Sequence, residues 1–210
     1  MSRRIRHHVN PLKLEHVATG AERLALPADG PVEVELGCAD ARWLFERAAA
    51  RPELFLVGIE IRAELVRLVE RRARALGLAG RLRVAYANLS TDLEALFAPR
   101  SVDRFAINFP DPWFKRRHHK RRLLSPELSR GLASRLRPGG EVLFQSDVWE
   151  LALEAMEALE QVDALENACG PWSFSGDHGL GARSKREARC LAEARPIWRL
   201  LYRLRDRRPR

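Results

Sequence analysis

Residues 32–60 read VEVELGCADARWLFERAAARPELFLVGIE and decide how the chain folds. The apolar runs at 32–36 and 54–59 predict two buried strands, and residues 41–50 between them predict a helix. A strand, a helix and a second strand at this spacing form a βαβ unit, in which the two strands run parallel. The stretch therefore predicts an α/β protein with a parallel sheet.

The same alternation continues along the rest of the chain, with no internal repeat and no long flexible linker. Strands are predicted at 82–86, 102–108, 141–145 and 196–202, and helices at 62–77, 91–97, 126–136 and 149–161. Five strand-then-helix units in succession indicate a doubly wound, mostly parallel sheet. We interpret residues 31–210 as a single domain and residues 1–30 as a basic N-terminal extension.

The charge of the chain points to a polyanionic partner. The formal net charge is +9 and the isoelectric point is about 10.4, although 46% hydrophobic and 31% charged residues are ordinary for a globular protein. Such an excess of positive charge favours nucleic acid or an anionic membrane surface. No apolar run approaches the roughly 20 residues that span a bilayer, and residues 1–8 lack the apolar segment of a secretory signal. We therefore expect a cytoplasmic protein with no membrane association.

The three cysteines favour neither a disulfide framework nor a metal site. Cys38, Cys169 and Cys190 are odd in number and widely spaced, without the spacing of zinc ligands. His118 and His119 are adjacent, and two adjacent histidines do not make a metal site either. We therefore expect a protein without a metal in a reducing compartment.

Polar side chains stand where five successive predicted strands end. They are Glu35, Glu60, Asn88, Asp111 and Asp147. Because ligands of such sheets bind beyond the carboxyl ends of the strands, these side chains are candidates for a common site. A polar residue at one strand end is ordinarily a loop residue, but that explanation covers five such positions poorly.

The turn Glu35-Leu-Gly-Cys-Ala-Asp-Ala41 after the first strand indicates what the site binds. It holds one glycine, Gly37, where a dinucleotide fold needs three to approach a pyrophosphate, so a nicotinamide cofactor is disfavoured. Glu35 would repel a pyrophosphate but suits a cationic amino-acid group. Glu60 stands where an acid bridges two ribose hydroxyls, and Asn88 is placed to bond an adenine edge. An adenosine that carries a cationic amino acid is S-adenosylmethionine.

Residues 108–122, NFPDPWFKRRHHKRR, combine a constrained acid with dense positive charge. Prolines on both sides of Asp111 restrict its backbone, which holds the carboxylate in one direction. Six Lys and Arg and two His at 115–122 provide the charge to hold several phosphates. A basic run alone is usually a solvated face or a targeting signal, and a Pro-Asp-Pro turn alone is usually a stiff loop. In direct succession they indicate an enzyme that acts on a base while it binds a nucleic-acid backbone.

Several short motifs are shared with one known family. They are Glu35-Leu-Gly37, Gly58-Ile-Glu60, the stretch at 108–122, Leu136-Arg-Pro-Gly-Gly140 and Ser146-Asp147. On these motifs the chain resembles the bacterial tRNA (guanine-N7-)-methyltransferases from about residue 31 to Leu204. The resemblance implies the Rossmann-like, seven-stranded, mostly parallel sheet of class I S-adenosylmethionine-dependent enzymes. It also implies methyl transfer to N7 of a guanine in the variable loop of tRNA by a monomer or homodimer.

The resemblance further implies which residues act. The cofactor site would be lined by Glu35, Gly37, Glu60, Asn88 and Asp111, of which Asp111 is also the candidate catalytic residue. Lys115 and Asp147 match residues that contact the RNA. A Thr-x-Phe-Glu stretch that also contacts the RNA aligns with Ser184, Lys185, Arg186 and Glu187.

The chain departs from the family pattern at a few positions. Ala39 and Ala41 replace glycines of the first turn, Leu89 replaces an alanine after Asn88, and Arg186 replaces an aromatic residue. Two alternatives therefore stay open: a methyltransferase acting on another RNA base, and a non-catalytic RNA-binding protein on a decayed methyltransferase scaffold. The basic octet and Asp147 favour the guanine enzyme.

Overall fold

A computed structural model of the protein describes residues 19–112 and 124–205. Seven strands and six helices alternate along these residues. The strands are β1 Val32–Leu36, β2 Phe55–Glu60, β3 Leu82–Tyr86, β4 Val102–Asn108, β5 Leu136–Ser146, β6 Leu165–Asn167 and β7 Trp198–Leu204. The helices are α1 Arg42–Ala50, α2 Ala63–Ala75, α3 Leu89–Leu96, α4 Pro126–Arg135, α5 Trp149–Glu160 and α6 Lys185–Ala192.

The strands form one sheet in the order β3-β2-β1-β4-β5-β7-β6. Strands β1 to β5 pair in parallel, whereas β7 runs antiparallel to both β5 and β6. The prediction of a doubly wound, mostly parallel, seven-stranded α/β sheet is therefore confirmed. The chain reverses its direction across the sheet between β1 and β4, and ligands of such sheets bind in the crevice above the carboxyl ends of these two strands.

Apolar layers cover both faces of the sheet. Helices α1 and α2 pack on one face through residues such as Leu44 and Val69. Helices α3, α4 and α5 pack on the other face through residues such as Leu96, Leu132 and Leu159. The helices cover the faces of the sheet and not the carboxyl ends of its parallel strands. The polar residues predicted for the site lie along this edge.

Gly58 allows the first turn and α1 to approach β2 closely. A Cβ at this position would lie 2.6 Å from Cys38 Sγ and 2.9 Å from Leu44 Cδ1. Both distances are shorter than van der Waals contact, so any side chain at 58 would push the turn away from the sheet. The glycine in the Gly58-Ile-Glu60 motif is therefore a packing requirement.

Three elements differ from the sequence prediction. Strand β5 begins at Leu136 and includes residues 138–140, and its pairing with β4 is interrupted there by a register shift. The three residues of β6 are too few to show an alternating pattern. Helix α6 buries Glu187 and Cys190, so it lacks the apolar stripe from which a helix is predicted.

Residues 19–26 lie against the domain that begins at β1. The Leu24 N–H donates to the Leu96 carbonyl at 3.0 Å, and Leu24 and Leu26 pack against the core. The division of the chain at residue 31 stays a prediction. Along 19–112 and 124–205, no helix combines the length and the apolar character needed to cross a membrane.

Candidate active site

One face of the sheet carries two rows of polar side chains, one at each end of the strands. We call the first the amino-end network: Glu33, Arg47, Arg104, Glu141 and Arg203. We call the second the carboxyl-end network: Glu35, Asn108, Gln145, Glu187 and Arg199. Strand pairing aligns both, because Arg104 is opposite Glu141 and Asn108 is opposite Gln145. On β4, β5 and β7 an apolar row of Ala106, Leu143 and Leu201, level with Glu35 on β1, lies between them.

The amino-end network compensates its buried charges. Glu33 is 3% exposed and accepts hydrogen bonds from Arg47 Nε and Nη2, at 2.8 and 2.6 Å, and from Arg104. Arg104 also donates to Glu141 at 2.7 Å, and Arg203 reaches the other oxygen of Glu141 at 3.0 Å. Each carboxylate therefore faces at least two guanidinium groups, the condition under which buried charges are tolerated.

Glu35, in the carboxyl-end network, is compensated far less. It is as buried as Glu33, and its Oε1 accepts one hydrogen bond, from Asn108 Nδ2 at 2.8 Å. Within the described parts of the chain, no donor reaches its Oε2. Burial raises the pKa of Glu35 to about 8; the Asn108 bond opposes this shift, and Asp40 and Glu60 add to it. The site therefore presents a carboxylate oxygen that a cationic ligand would satisfy.

The turn after β1 has three residues in the left-handed region, and at two of them this chain has alanine where the family pattern has glycine. Gly37, Ala39 and Ala41 have φ angles of 75°, 50° and 55°, all in the left-handed region. A residue with a Cβ costs about 1–2 kcal/mol there. Glu60 Oε2 accepts a hydrogen bond from Ala39 N at 3.0 Å and helps to hold the turn. The two alanines therefore strain the turn.

Glu60 and Asp111 face the same cation, Arg62. Glu60 ends β2, is 3% exposed, and accepts bonds from Arg62 Nε and Nη2 at 2.9 and 2.8 Å. The hydrogen bond to Glu60 raises the pKa of Arg62, burial opposes this shift, and the charge of Asp111 contributes to it. Both predicted acids thus act on the same cation at the carboxyl edge of the sheet. Sequence reasoning missed Arg62, whose position two residues after Glu60 was the available signal.

Asn88 follows β3 and is buried beside Asp92. Its backbone N–H donates to Asp92 Oδ2 at 2.8 Å, and the hydroxyl groups of Thr91 and Thr19 donate to the same carboxylate. Burial opposes ionisation of Asp92, but these hydrogen bonds, led by that of Thr19, lower its pKa. Asp92 therefore fixes the backbone that carries Asn88, next to the strand that ends at Tyr86.

Backbone strain marks the start of the Asn-Phe-Pro-Asp-Pro stretch. Phe109 has a φ of 49°, and its N–H donates to the Gln145 carbonyl at 2.8 Å. Strain of this kind persists only where the surrounding structure imposes it, and it clusters at functional sites. The prolines on either side of Asp111 then direct the chain onward from β4. Lys115 and the rest of the basic octet lie outside the described residues.

Asp147 and Arg186, both predicted substrate residues, form an ion pair. Arg186 donates to Asp147 through Nε at 3.3 Å and Nη2 at 2.5 Å, and Arg195 lies 3.8 Å from the same carboxylate. Burial favours the neutral acid, but the Arg186 hydrogen bond lowers the pKa of Asp147. The residue that replaces the family's aromatic side chain therefore covers the acid predicted to contact RNA.

The other residues of the 184–187 stretch form the first turn of α6. Ser184 is the N-cap, and its Oγ accepts a hydrogen bond from Glu187 N at 3.2 Å. Lys185 is exposed, whereas Glu187 is 5% exposed and accepts bonds from Gln145 Nε2 and Arg199 Nη2, both at 2.9 Å. The cap turns Glu187 into the sheet, so the structure joins it to β5 and β7 rather than to Asp147.

A segment before α6 covers a small pocket over the carboxyl-end network. The pocket is lined by Trp43, Asn108, Leu143, Gln145, Asp177, His178, Leu180, Ala182 and Glu187. Arg47 Nη1 donates to the Leu180 carbonyl at 2.6 Å, and Arg183 N donates to Glu46 at 2.7 Å. These bonds attach the segment to α1. Among the described residues, no cluster of His, Cys, Asp and Glu is arranged to hold a metal ion.

Comparison with known proteins agrees with this geometry. A family described as a putative methyltransferase matches residues 29–200. A tRNA (guanine-N(7)-)-methyltransferase of Synechococcus sp. (strain JA-3-3Ab) is 36% identical over 204 residues, which cover 95% of this chain and 85% of that protein. The tRNA (guanine-N(7)-)-methyltransferase of Synechocystis sp. (strain ATCC 27184 / PCC 6803 / Kazusa) is 35% identical over 209 residues, which cover 94% of this chain and 96% of that protein. The chain belongs to the tRNA (guanine-N7-)-methyltransferase family.

Solved structures of low sequence identity share the fold. The 16S rRNA methyltransferase KamB superposes with a TM-score of 0.58 at 18% identity, over 83% of this chain and 87% of that one. A geranyl diphosphate methyltransferase in complex with SAM superposes with a TM-score of 0.54 at 14% identity, over 92% of this chain and 82% of that one. These neighbours agree with the predicted class I methyltransferase sheet, and with the family match they confirm the resemblance drawn from the motifs.

Proposed function

We propose that the protein transfers a methyl group from S-adenosylmethionine to N7 of a guanine in the variable loop of tRNA. Relatives that are 35–37% identical over about 95% of the chain are named for methylation at guanine N7 in tRNA. The observation that carries the proposal is the half-compensated carboxylate of Glu35 at the β1–β4 crevice. It lies in the same edge of the sheet as Glu60, Asp111 and Asp147.

The described residues fit the cofactor. Glu35 Oε2 is buried without a donor, as an acceptor for the cationic amino group of an amino acid would be. Glu60, at the end of β2, would exchange its side-chain bonds from Arg62 for bonds from the ribose hydroxyls, and Asn88 would hold the adenine edge. When bound, S-adenosylmethionine supplies a methyl group on a positively charged sulfur. Gly37 leaves the turn open above the strand, since no atom lies within 4 Å of where its Cβ would be.

The chemistry at guanine N7 asks the protein for alignment and not for proton removal. N7 has an in-plane lone pair and carries no proton, so no general base is required. The contribution of the chain is then to hold the base at the right distance and angle, which is a task of proximity and orientation. This is consistent with acids whose carboxylates serve as hydrogen-bond acceptors.

Carboxylates also provide the choice of base. Guanine presents N–H donors at N1 and N2, whereas adenine presents a lone pair at N1, so carboxylates favour guanine. We assign this role to Asp111 and Asp147, with Glu187 as a third acceptor. Asp147 must exchange its bond from Arg186 for one from the base, and Arg186 is then free to meet a phosphate.

Binding of the tRNA backbone falls to the cations. Lys115 and the following basic residues would hold phosphates beside the base, with Lys185 on α6 as a further contact. A loop guanine must leave its stack before it reaches acids at strand ends. The net charge of +9 supports such a partner and predicts affinity that falls steeply with salt.

The test is to incubate the purified full chain with labelled S-adenosylmethionine and an unmodified tRNA transcript. The proposal predicts 7-methylguanine, located in the variable loop by nuclease mapping and mass spectrometry. A methyl group on another base would support the alternative of a different RNA methyltransferase. Absence of saturable cofactor binding would indicate an RNA-binding protein on a decayed scaffold.

A further inference from the structure

An unbroken chain of hydrogen bonds joins the candidate cofactor acid to the candidate base acid. Asn108 Nδ2 donates to Glu35 Oε1 at 2.8 Å, and Asn108 Oδ1 accepts from Gln145 Nε2, also at 2.8 Å. Gln145 Nε2 donates in addition to Glu187 Oε2 at 2.9 Å. The path crosses β1, β4 and β5 and ends on α6, four elements that are far apart in sequence.

Arg199 on β7 sets the direction of this chain. A guanidinium can only donate, and Arg199 Nε donates to Gln145 Oε1 at 3.1 Å. The Gln145 carbonyl must therefore face Arg199, which turns its NH₂ group toward Asn108 and Glu187. The Asn108 carbonyl must then face Gln145, and its NH₂ group faces Glu35. Each amide thus has one satisfied orientation.

The direction has consequences for both acids. Glu35 receives its one donor at Oε1, which leaves Oε2 as the acceptor for a cation. Glu187 receives Gln145 at Oε2 and Arg199 at Oε1, so both of its oxygens are fixed. An arginine at 108 would instead pair with Glu35 directly, as Arg104, on the same strand, pairs with Glu33. Neutral amides orient Glu35 without bringing a positive charge of their own next to it.

We propose that Gln145 is a positioning residue that links the two halves of the reaction: through Asn108 it orients Glu35 for the cofactor, and directly it orients Glu187 for the base. This inference rests on the proposed function. It predicts that one substitution on β5 weakens the binding of both the cofactor and tRNA, although Gln145 contacts the cofactor acid Glu35 only through Asn108.

The test compares Gln145→Met with Glu141→Gln, which lies on the same strand and face but in the amino-end network. We expect Gln145→Met to raise the Kd for S-adenosylmethionine and the KM for tRNA by about tenfold each, because Asn108 loses the bond that holds its amide toward Glu35 and Glu187 loses one oriented hydrogen bond. Glu141→Gln should lower the melting temperature and leave both constants unchanged. Gln145→Asn, which keeps the amide but shortens its reach, should fall between wild type and Gln145→Met.

The melting temperature, Kd and KM of the variants distinguish a positioning role of Gln145 from a purely structural one. A merely structural role would lower the melting temperature without moving Kd and KM, and that result in a folded, active variant would overturn the inference and leave the proposed function intact. A change in the Kd for cofactor alone would break the link to Glu187 and would also overturn it. A wild-type protein that binds cofactor but transfers no methyl to tRNA would overturn the proposed function and the inference with it.

Discussion

Glu33 and Glu35 are two residues apart on the same face of β1 and equally buried, yet they have opposite surroundings. Glu33 lies between Arg47 and Arg104, which compensate its charge. Glu35 has one neutral amide and an oxygen that no described donor reaches. A buried charge that is fully paired serves the fold, and one that is half paired needs a ligand. On one strand, Glu33 therefore stabilises the fold and Glu35 is available to a ligand.

The largest effect on stability is expected from a substitution of Glu33, in the amino-end network. Glu33→Gln removes the charge that compensates Arg47, which is 2% exposed. Breaking a buried pair in this way costs about 3–5 kcal/mol, measured as the free energy of unfolding in urea. Affinity of the folded variant for S-adenosylmethionine should stay within about twofold of wild type, because the hydrogen bonds of Glu33 within the described residues go to Arg47 and Arg104 and not to the carboxyl-end network. A stable variant that has lost cofactor binding would mean that the two ends are one unit.

Asp111→Asn sharpens the comparison at the carboxyl end. The variant keeps the size of the side chain and loses its charge, so the base would lose an oriented acceptor. We expect kcat to fall by about 10²–10³-fold, as when one preorganised polar group is removed from an active site. Melting temperature and tRNA affinity, measured by filter binding, should change little. An active Asp111→Asn enzyme would remove this acid from the reaction.

The burial of Glu35 should make the stability of the protein depend on pH. The pKa of Glu35 is raised to about 8, mainly by burial, so the unfolded chain releases this proton at lower pH than the folded protein does. The contribution of Glu35 is therefore complete below pH 4.5, its ordinary value, and is lost as pH rises toward about 8. In this window the ligand-free wild type should lose up to about 1.4 kcal/mol per pH unit relative to Glu35→Gln. Denaturant unfolding of both proteins at several pH values measures this, and parallel curves would contradict it.

The smallest effects concern the turn that connects Glu35 to α1. Ala39→Gly relieves a left-handed alanine and should raise stability by about 0.5–1 kcal/mol after the flexibility of glycine is deducted. Ala41→Gly relieves similar strain but removes a fully buried methyl group, so its net effect should be near zero. Thermal unfolding of the two variants side by side tests the difference. Equal gains at both positions would show that burial of the Ala41 methyl group contributes little.

Much of the sheet and its acidic edge followed from local sequence. Strand and helix periodicity predicted β1 to β5, and acids at strand ends predicted that Glu35 and Glu60 lie close enough to interact. These inferences worked because parallel strands bring their carboxyl ends to one edge whatever the exact packing. Helix α6 escaped prediction because its buried positions are Glu187 and Cys190 instead of an apolar stripe.

The carboxyl-end network could not be predicted in the same way. Asn108, Gln145 and Arg199 become neighbours through the order β4-β5-β7 and through the antiparallel return of β7. No periodicity in the chain carries that order. Arg186 raises a related difficulty, because its pairing with Asp147 depends on where α6 packs. The available signal was a polar residue at the end of an apolar strand, and Asn108 and Gln145 both stand in such a position.

The most direct test of the account is calorimetric titration of S-adenosylmethionine into wild type and Glu35→Gln at pH 7, in two buffers with different ionisation enthalpies. We expect wild type to release about one proton per cofactor bound, because the ligand's ammonium group turns a mostly protonated Glu35 into a carboxylate. We expect Glu35→Gln to bind about 100-fold or more weakly, without release of that proton. Equal affinity of the two proteins, with no proton release by wild type, would contradict the account.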